Sequence, residues 1–134
     1  MKSPEKVLLD KNIKPTAVRL LVLNVFYQFE HALSLQDIEN ELPWSDKASI
    51  FRTLKTFEKK HLIHSIADGH KAVKYALCTE KADDNHIIHP HFHCTKCHKT
   101  YCLEPQKIQF NTIPENFSVS DYELVVKGIC ADCS

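Results

Sequence analysis

The stretch NHIIHPHFHCTKCHKTYC, residues 85–102, carries five of the nine histidines and three of the six cysteines of the chain. Within it, Cys94-Thr95-Lys96-Cys97 is a CxxC pair, and Cys130-Ala131-Asp132-Cys133 is a second one beyond a gap of 32 residues. Two residues between thiols let one tight turn offer both sulfurs to one ion, so two such pairs supply the four thiolates of a tetrahedral zinc shell. The gap exceeds the roughly 15–20 residues of a compact zinc ribbon. A structural Zn²⁺ on Cys94, Cys97, Cys130 and Cys133 is therefore expected to staple a strand to a distant segment across a small domain.

The same stretch predicts a second metal site. If His89 to Cys94 is a strand, His89, His91 and His93 lie on one face, and Phe92 and Cys94 on the other. Imidazoles and structural thiolate then point to opposite sides. The HxH pair His89/His91 becomes the nucleus of a second metal site distinct from the zinc staple.

With 134 residues, 43% apolar and 25% charged, the composition is that of an ordinary globular protein of one domain or two small ones. The opening MKSPEKVLLDKN lacks the apolar core of a signal peptide, and no apolar run is long enough to span a membrane. A cytoplasmic setting is expected, and with it reduced cysteines that bind metal rather than a disulfide framework. The net charge is zero, yet 12 Lys+Arg face 9 Asp+Glu up to Cys78, against 5 and 8 from Thr79 onward. Basic residues concentrate at Lys47, Arg52, Lys55, Lys59 and Lys60.

Upstream of residue 85 the chain alternates helix signals with caps. Ser3-Pro4 starts a short helix ending near Asn12. Pro15-Thr16 opens a central one, with Val18, Leu21, Val22, Val25, Phe26 and Phe29 at three- and four-residue steps. Ser34-Leu35-Gln36-Asp37 has the form of a capping box, opening a short helix that Pro43 ends. Ser45 or Asp46 caps the next, running to about Lys60 with Ile50, Leu54 and Phe57 buried. Helix, short connection and basic second helix make a helix-turn-helix. Leu62–Ile66 and Ala72–Leu77, joined at Asp68-Gly69, then form the wing hairpin. Residues 1–80 read as a winged-helix DNA-binding domain, 81–85 as a polar hinge, and 86–134 as a metal-binding domain, to which the family resemblance given below adds dimerisation. In the last, strands are expected at His91–Cys94, Thr100–Leu103 and Phe117–Lys127, with only a short helix between Pro105 and Pro114. His61, His64 and His70 read as isolated surface residues, and Trp44 as a plug between the two helices of the helix-turn-helix.

With Lys14-Pro15-Thr16-Ala17-Val18-Arg19, Ala48-Ser49-Ile50-Phe51-Arg52-Thr53-Leu54 and His89-Pro90-His91-Phe92-His93-Cys94-Thr95-Lys96-Cys97 in this order, the chain resembles the ferric uptake regulator (Fur) family along almost its whole length. The resemblance implies an α+β protein, a winged helix-turn-helix followed by a small α/β dimerisation domain with a Cys₄ zinc site. It also implies a homodimeric, metal-dependent repressor that binds double-stranded DNA at a palindromic operator. Lys14, Arg19, Ser49, Phe51, Arg52 and Lys55 fall on its DNA-binding segments. Of these, Arg52 and Lys55 are expected in the major groove, and Lys14 and Arg19 nearer the backbone. Carried over from the family, His31 joins His89 and His91 as a regulatory ligand. Where many relatives have acids, this chain has Cys78 at the end of the wing and Cys102 after the CxxC, with His86 and His93 as further candidates.

Imidazole with thiolate suits Zn²⁺, whereas an iron or manganese sensor wants nitrogen with carboxylate oxygen. A zinc-responsive repressor is therefore expected ahead of an iron- or peroxide-responsive one with regulatory Fe²⁺. A zinc enzyme is disfavoured, since HExxH and the HxE…PCxxC pairing of zinc deaminases are both missing. A zinc-stabilised interaction module without a DNA role is separated from the leading reading by duplex binding.

Overall fold

The computed structural model describes residues 2–67, 69, 72–78, 87–107, 111–120 and 122–134, with backbone alone at 87 and 88. Two compact units result, Met1–Cys78 and Thr79–Ser134. The expected hinge at 81–85, the turn residue Asp68, and His70 and His86 lie outside the described residues.

Four helices open the first unit, and each begins where a side chain meets a backbone N–H left over at the helix start. These are α1 (Pro4–Asp10), α2 (Ala17–Gln28), α3 (Leu35–Glu41) and α4 (Lys47–Lys59), capped by Ser3, Thr16, Ser34 and Asp46. The box at α3 is reciprocal: the Asp37 N–H donates to Ser34 Oγ at 3.1 Å, and the Ser34 N–H to Asp37 Oδ2 at 2.9 Å. Ser34→Ala is expected to cost about 1 kcal/mol in a urea melt, the usual worth of a cap. At α4, the Ser49 hydroxyl and N–H both donate to Asp46 and hold its carboxyl below the usual range. A depressed carboxylate contributes stability at pH above its unfolded value, which fades as pH falls through the folded one.

Ile50, Leu54 and Phe57 of α4 pack with Val22, Leu23, Val25 and Phe26 of α2 and with Leu8, Ile13, Ile38 and Leu42 in one buried core. Three antiparallel strands close it in the order β1-β3-β2: β1 (Leu33–Ser34), β2 (Ile63–Ile66) and β3 (Lys74–Leu77). Strand β1 escapes sequence reading because two residues carry no periodicity. Trp44 is no plug: it is 74% exposed. A tight turn, in which the Ser45 N–H donates to Leu42 O at 3.0 Å, sends Leu42 inward and the indole out.

The second unit has short strands β4 (Ile87–Ile88), β5 (His91–Cys94), β6 (Thr100–Cys102), β7 (Gln106–Lys107) and β8 (Val125–Gly128), and a 3₁₀ turn at Ala131–Cys133. Strand β4 pairs with β7, while β5 lies between β6, antiparallel, and β8, parallel. The last strand is shorter than its alternating sequence predicts, four residues rather than the expected stretch from Phe117. Its ladder begins at His91↔Val125, where the His91 N–H donates to Leu124 O at 3.0 Å. Between Pro105 and Pro114 the described residues hold β7 and no helix.

Burial separates the two units. Among the described residues of the second, the buried ones are Pro90, His93, Cys94, Thr100 and Cys130, so sulfur occupies the place that an aliphatic core fills in the first. A unit this small with so little buried hydrocarbon needs a cross-link, an ion or a partner copy to hold one fold.

Candidate functional site

Strand β5 ends at Cys94, and the chain turns at once through Cys97. That turn is fixed by three bonds: His98 N–H to Cys94 O at 2.9 Å, Thr95 N–H to Gly128 O at 2.8 Å, and the Thr95 hydroxyl to the same carbonyl at 3.2 Å. Because β8 runs parallel beside β5, Gly128 faces Cys94, and Cys130 and Cys133 follow on the 3₁₀ turn. A Cβ at Gly128 would lie 3.1 Å from Phe92 Cζ, so glycine allows this close approach. The sulfurs of Cys94, Cys97, Cys130 and Cys133 lie within 4.8 Å of one another. Sγ of Cys97 stands 3.8 Å from Sγ of Cys130. A tetrahedron with Zn–S of about 2.3 Å has edges of about 3.8 Å, so the spacing fits zinc.

Electrostatics agree with that fit. Backbone N–H groups of Cys97 and Cys130 each approach Cys94 Sγ at 3.4 Å and pull its pKa down to about 5. Cys133 goes the other way: its hydrogen bond to Cys130 and its burial push it up to about 12. Adjacent thiols cannot all ionise unless a cation offsets their charge, and a coordinated divalent ion does so.

On the opposite face of β5, alternation places His91 beside His93, as expected. His93 is buried, with Nδ1 3.0 Å from Thr100 Oγ1 across the β5–β6 ladder, which makes it a core residue of this sheet. His91 sits directly opposite Cys102. Since the Leu103 N–H donates to Pro90 O at 2.9 Å, this is the non-hydrogen-bonded kind of pair, whose side chains approach closely. Cys102 thus shares the histidine face, a pairing that the strand register supplies. Half-burial and the neighbouring His89 hold the His91 pKa below the usual imidazole value, favouring the neutral ring that binds metals. His89 itself is half-buried just ahead of β5.

In the first unit, Cys78 ends the wing, its N–H donating to Leu62 O at 2.9 Å. Burial pushes its thiol pKa up, against a pull from Lys11. The register Ile63↔Leu77 and His64↔Ala76 brings His64 Nδ1 to 3.6 Å from Cys78 Sγ. His64 is therefore no isolated surface residue. Sequence reading passed over it because nothing in the local sequence pairs it with a thiol fourteen residues away. His31 packs edgewise on Phe29, ring centroids 5.4 Å apart, and its Nδ1 lies 3.0 Å from Ala32 O.

The basic helix α4 exposes Lys47, Ala48, Phe51, Arg52, Lys55 and Lys59 along one stripe and buries Ile50, Thr53, Leu54 and Phe57. Lys55 Nζ stands 5.2 Å from the Phe51 ring centroid, a cation–π contact that steadies both exposed side chains. Arg52 reaches Ser49 Oγ at 3.4 Å. Arg19 donates to Lys14 O at 2.9 Å, fixing the bend between α1 and α2.

A winged helix-turn-helix unit and a four-cysteine unit in one chain define a metal-responsive transcriptional regulator. The chain belongs to the Ferric uptake regulator family, whose profile matches residues 10–127. It is 24% identical over 140 residues to the Ferric uptake regulation protein of Campylobacter jejuni, covering 97% of this chain and 85% of that one. Among solved structures, that of the Helicobacter pylori ferric uptake regulator Fur, described with three functional metal-binding sites, superposes with a TM-score of 0.65 at 16% identity, covering 98% of this chain and 94% of the other. A zinc uptake regulator complexed with zinc and DNA gives 0.64 at 18% identity, with 96% and 89% covered. At these identities the similarity establishes the fold. No helix among the described residues is long and apolar enough to cross a membrane.

Proposed function

We propose that this protein is a zinc-responsive repressor that binds a palindromic operator as a homodimer. One observation carries the choice of metal: Cys78 Sγ stands 3.6 Å from His64 Nδ1. Two ligands of a tetrahedral zinc, with Zn–S about 2.3 Å and Zn–N about 2.0–2.1 Å, are separated by about 3.6 Å. Sulfur and imidazole together suit zinc better than iron or manganese, which prefer oxygen. The cross-strand pair His91/Cys102 repeats the same chemistry in the second unit.

Regulatory ligands are accordingly drawn from His31, Cys78, His89, His91 and Cys102, with His64 added. Cys94, Cys97, Cys130 and Cys133 hold the structural zinc. Exposed Phe117, Val119, Val126 and Ile129 offer the second unit an apolar surface of the kind a second copy covers. In the first unit, Lys14, Arg19, Ser49, Phe51, Arg52 and Lys55 face DNA.

The test is a gel shift with duplexes recovered by selection from a randomised library, at buffered free Zn²⁺, Fe²⁺ and Mn²⁺. Retardation that tracks zinc supports the reading; retardation that tracks iron at equal free concentration overturns it. Arg52→Ala is expected to weaken the selected duplex by about 1–3 kcal/mol and to relax preference at one base pair, as loss of a base contact does. A loss uniform across sequences would assign Arg52 to a phosphate instead.

A further inference from the structure

Trp44, the single tryptophan of the chain, is 74% exposed, more than any other large apolar side chain among the described residues. A large ring left in water keeps apolar surface that a partner can cover. The turn that carries it is held at both ends. Before it, Leu42 is buried and its N–H donates to Ile38 O at 3.1 Å. After it, the Ser45 N–H donates to Leu42 O, and Asp46 caps α4. The indole is thus presented outward by a fixed backbone rather than left on a loose loop.

We propose that Trp44 contacts the DNA backbone, its ring lying on a deoxyribose and its indole N–H donating to a phosphate. This rests on reading α3 and α4 as a helix-turn-helix. In that motif the N-terminal part of the second helix enters the major groove while the first crosses the backbone. The residue two positions before the α4 cap then lies where sugar and phosphate line the groove edge. An indole suits that place, since it offers an apolar face and a single donor. Charge argues for the same occupant: Lys47, Arg52 and Lys55 are exposed on α4, and the Asp46 carboxylate is turned onto Ser49. A backbone contact positions the protein and carries no sequence information of its own.

Because the chain has one tryptophan, its emission reports on Trp44 alone. The zinc-loaded full chain is titrated with a duplex selected from a randomised library. Anisotropy of a labelled copy reports binding, and tryptophan emission with an unlabelled copy reports contact. Emission is expected to quench with the midpoint seen by anisotropy. Trp44→Ala is expected to weaken selected and unrelated duplexes alike by about three- to tenfold, the worth of one hydrogen bond and some buried ring, and Trp44→Phe to recover part of it. Saturating anisotropy with unmoved emission overturns the proposal. So does emission that changes with protein concentration in the absence of DNA, which places the ring against a second copy. Unchanged anisotropy overturns the DNA-binding reading itself, a distinct failure.

Discussion

Cys97→Ser is expected to release the structural zinc, melt the second unit and yield monomers, while Met1–Cys78 stays folded and helical. The effect is large because the two units are stabilised differently. The first buries a continuous aliphatic and aromatic core. The buried residues described in the second are one proline, two cysteines, one histidine and one threonine. Zinc binding in small metal-organised folds is worth about 10–16 kcal/mol at neutral pH, as much as the whole stability of a typical domain at about 5–15 kcal/mol. Three thiolates and one hydroxyl cannot replace that. Zinc content by elemental analysis, mass by light scattering and limited proteolysis of the full chain check it together. A variant that keeps full zinc and remains a dimer would show that the Cys₄ site is not the staple.

Cys78→Ser and His64→Ala, each loaded with structural zinc, are expected to require at least a hundredfold more free Zn²⁺ for half-maximal operator binding. An ion that tightens DNA a hundredfold contributes about 2.7 kcal/mol of coupling, and linkage obliges DNA to tighten the ion equally. Removing a thiolate or imidazole from a tetrahedral shell leaves the ion with water at that corner, which lowers affinity for zinc more than for harder ions. Cys78→Asp is a sharper probe: a carboxylate there should shift preference toward Fe²⁺ or Mn²⁺ without abolishing repression. The same titration with His89→Ala and Cys102→Ser tells whether the histidine face of β5 serves the regulatory ion. Parental zinc sensitivity in Cys78→Ser would sink the choice of zinc, and parental sensitivity in His89→Ala would remove that residue from the regulatory set.

Much of the architecture was legible from local chemistry. Helix starts declared themselves at Ser3, Pro15-Thr16, Ser34 and Ser45 or Asp46, of which Asp46 is the cap, because an N-cap is a contact between neighbours in sequence. The stripe Ile50, Leu54, Phe57 and the alternation in His91–Cys94 were visible because helix and strand periods are properties of the backbone. Likewise, the doubled CxxC announced its four sulfurs, since a two-residue spacing fits one ion wherever it occurs.

Other features needed partners distant in sequence. That the last strand is confined to Val125–Gly128, although the sequence alternates over 121–127, depends on where it pairs with β5, from His91 to Cys94. Trp44 reads as core by its chemistry, but the turn at Leu42–Ser45 and a core already filled by Ile38, Leu42 and Ile50 turn it to solvent. His64 beside Cys78, and His91 beside Cys102, follow from hairpin and sheet register. By itself the sequence determined the four helices of the first unit, the wing hairpin and the two CxxC pairs, all of which rest on short local patterns. Only the tertiary structure decided which histidine meets which thiol, because strand pairing is a long-range choice and a one-residue slip in it moves every side chain to the other face.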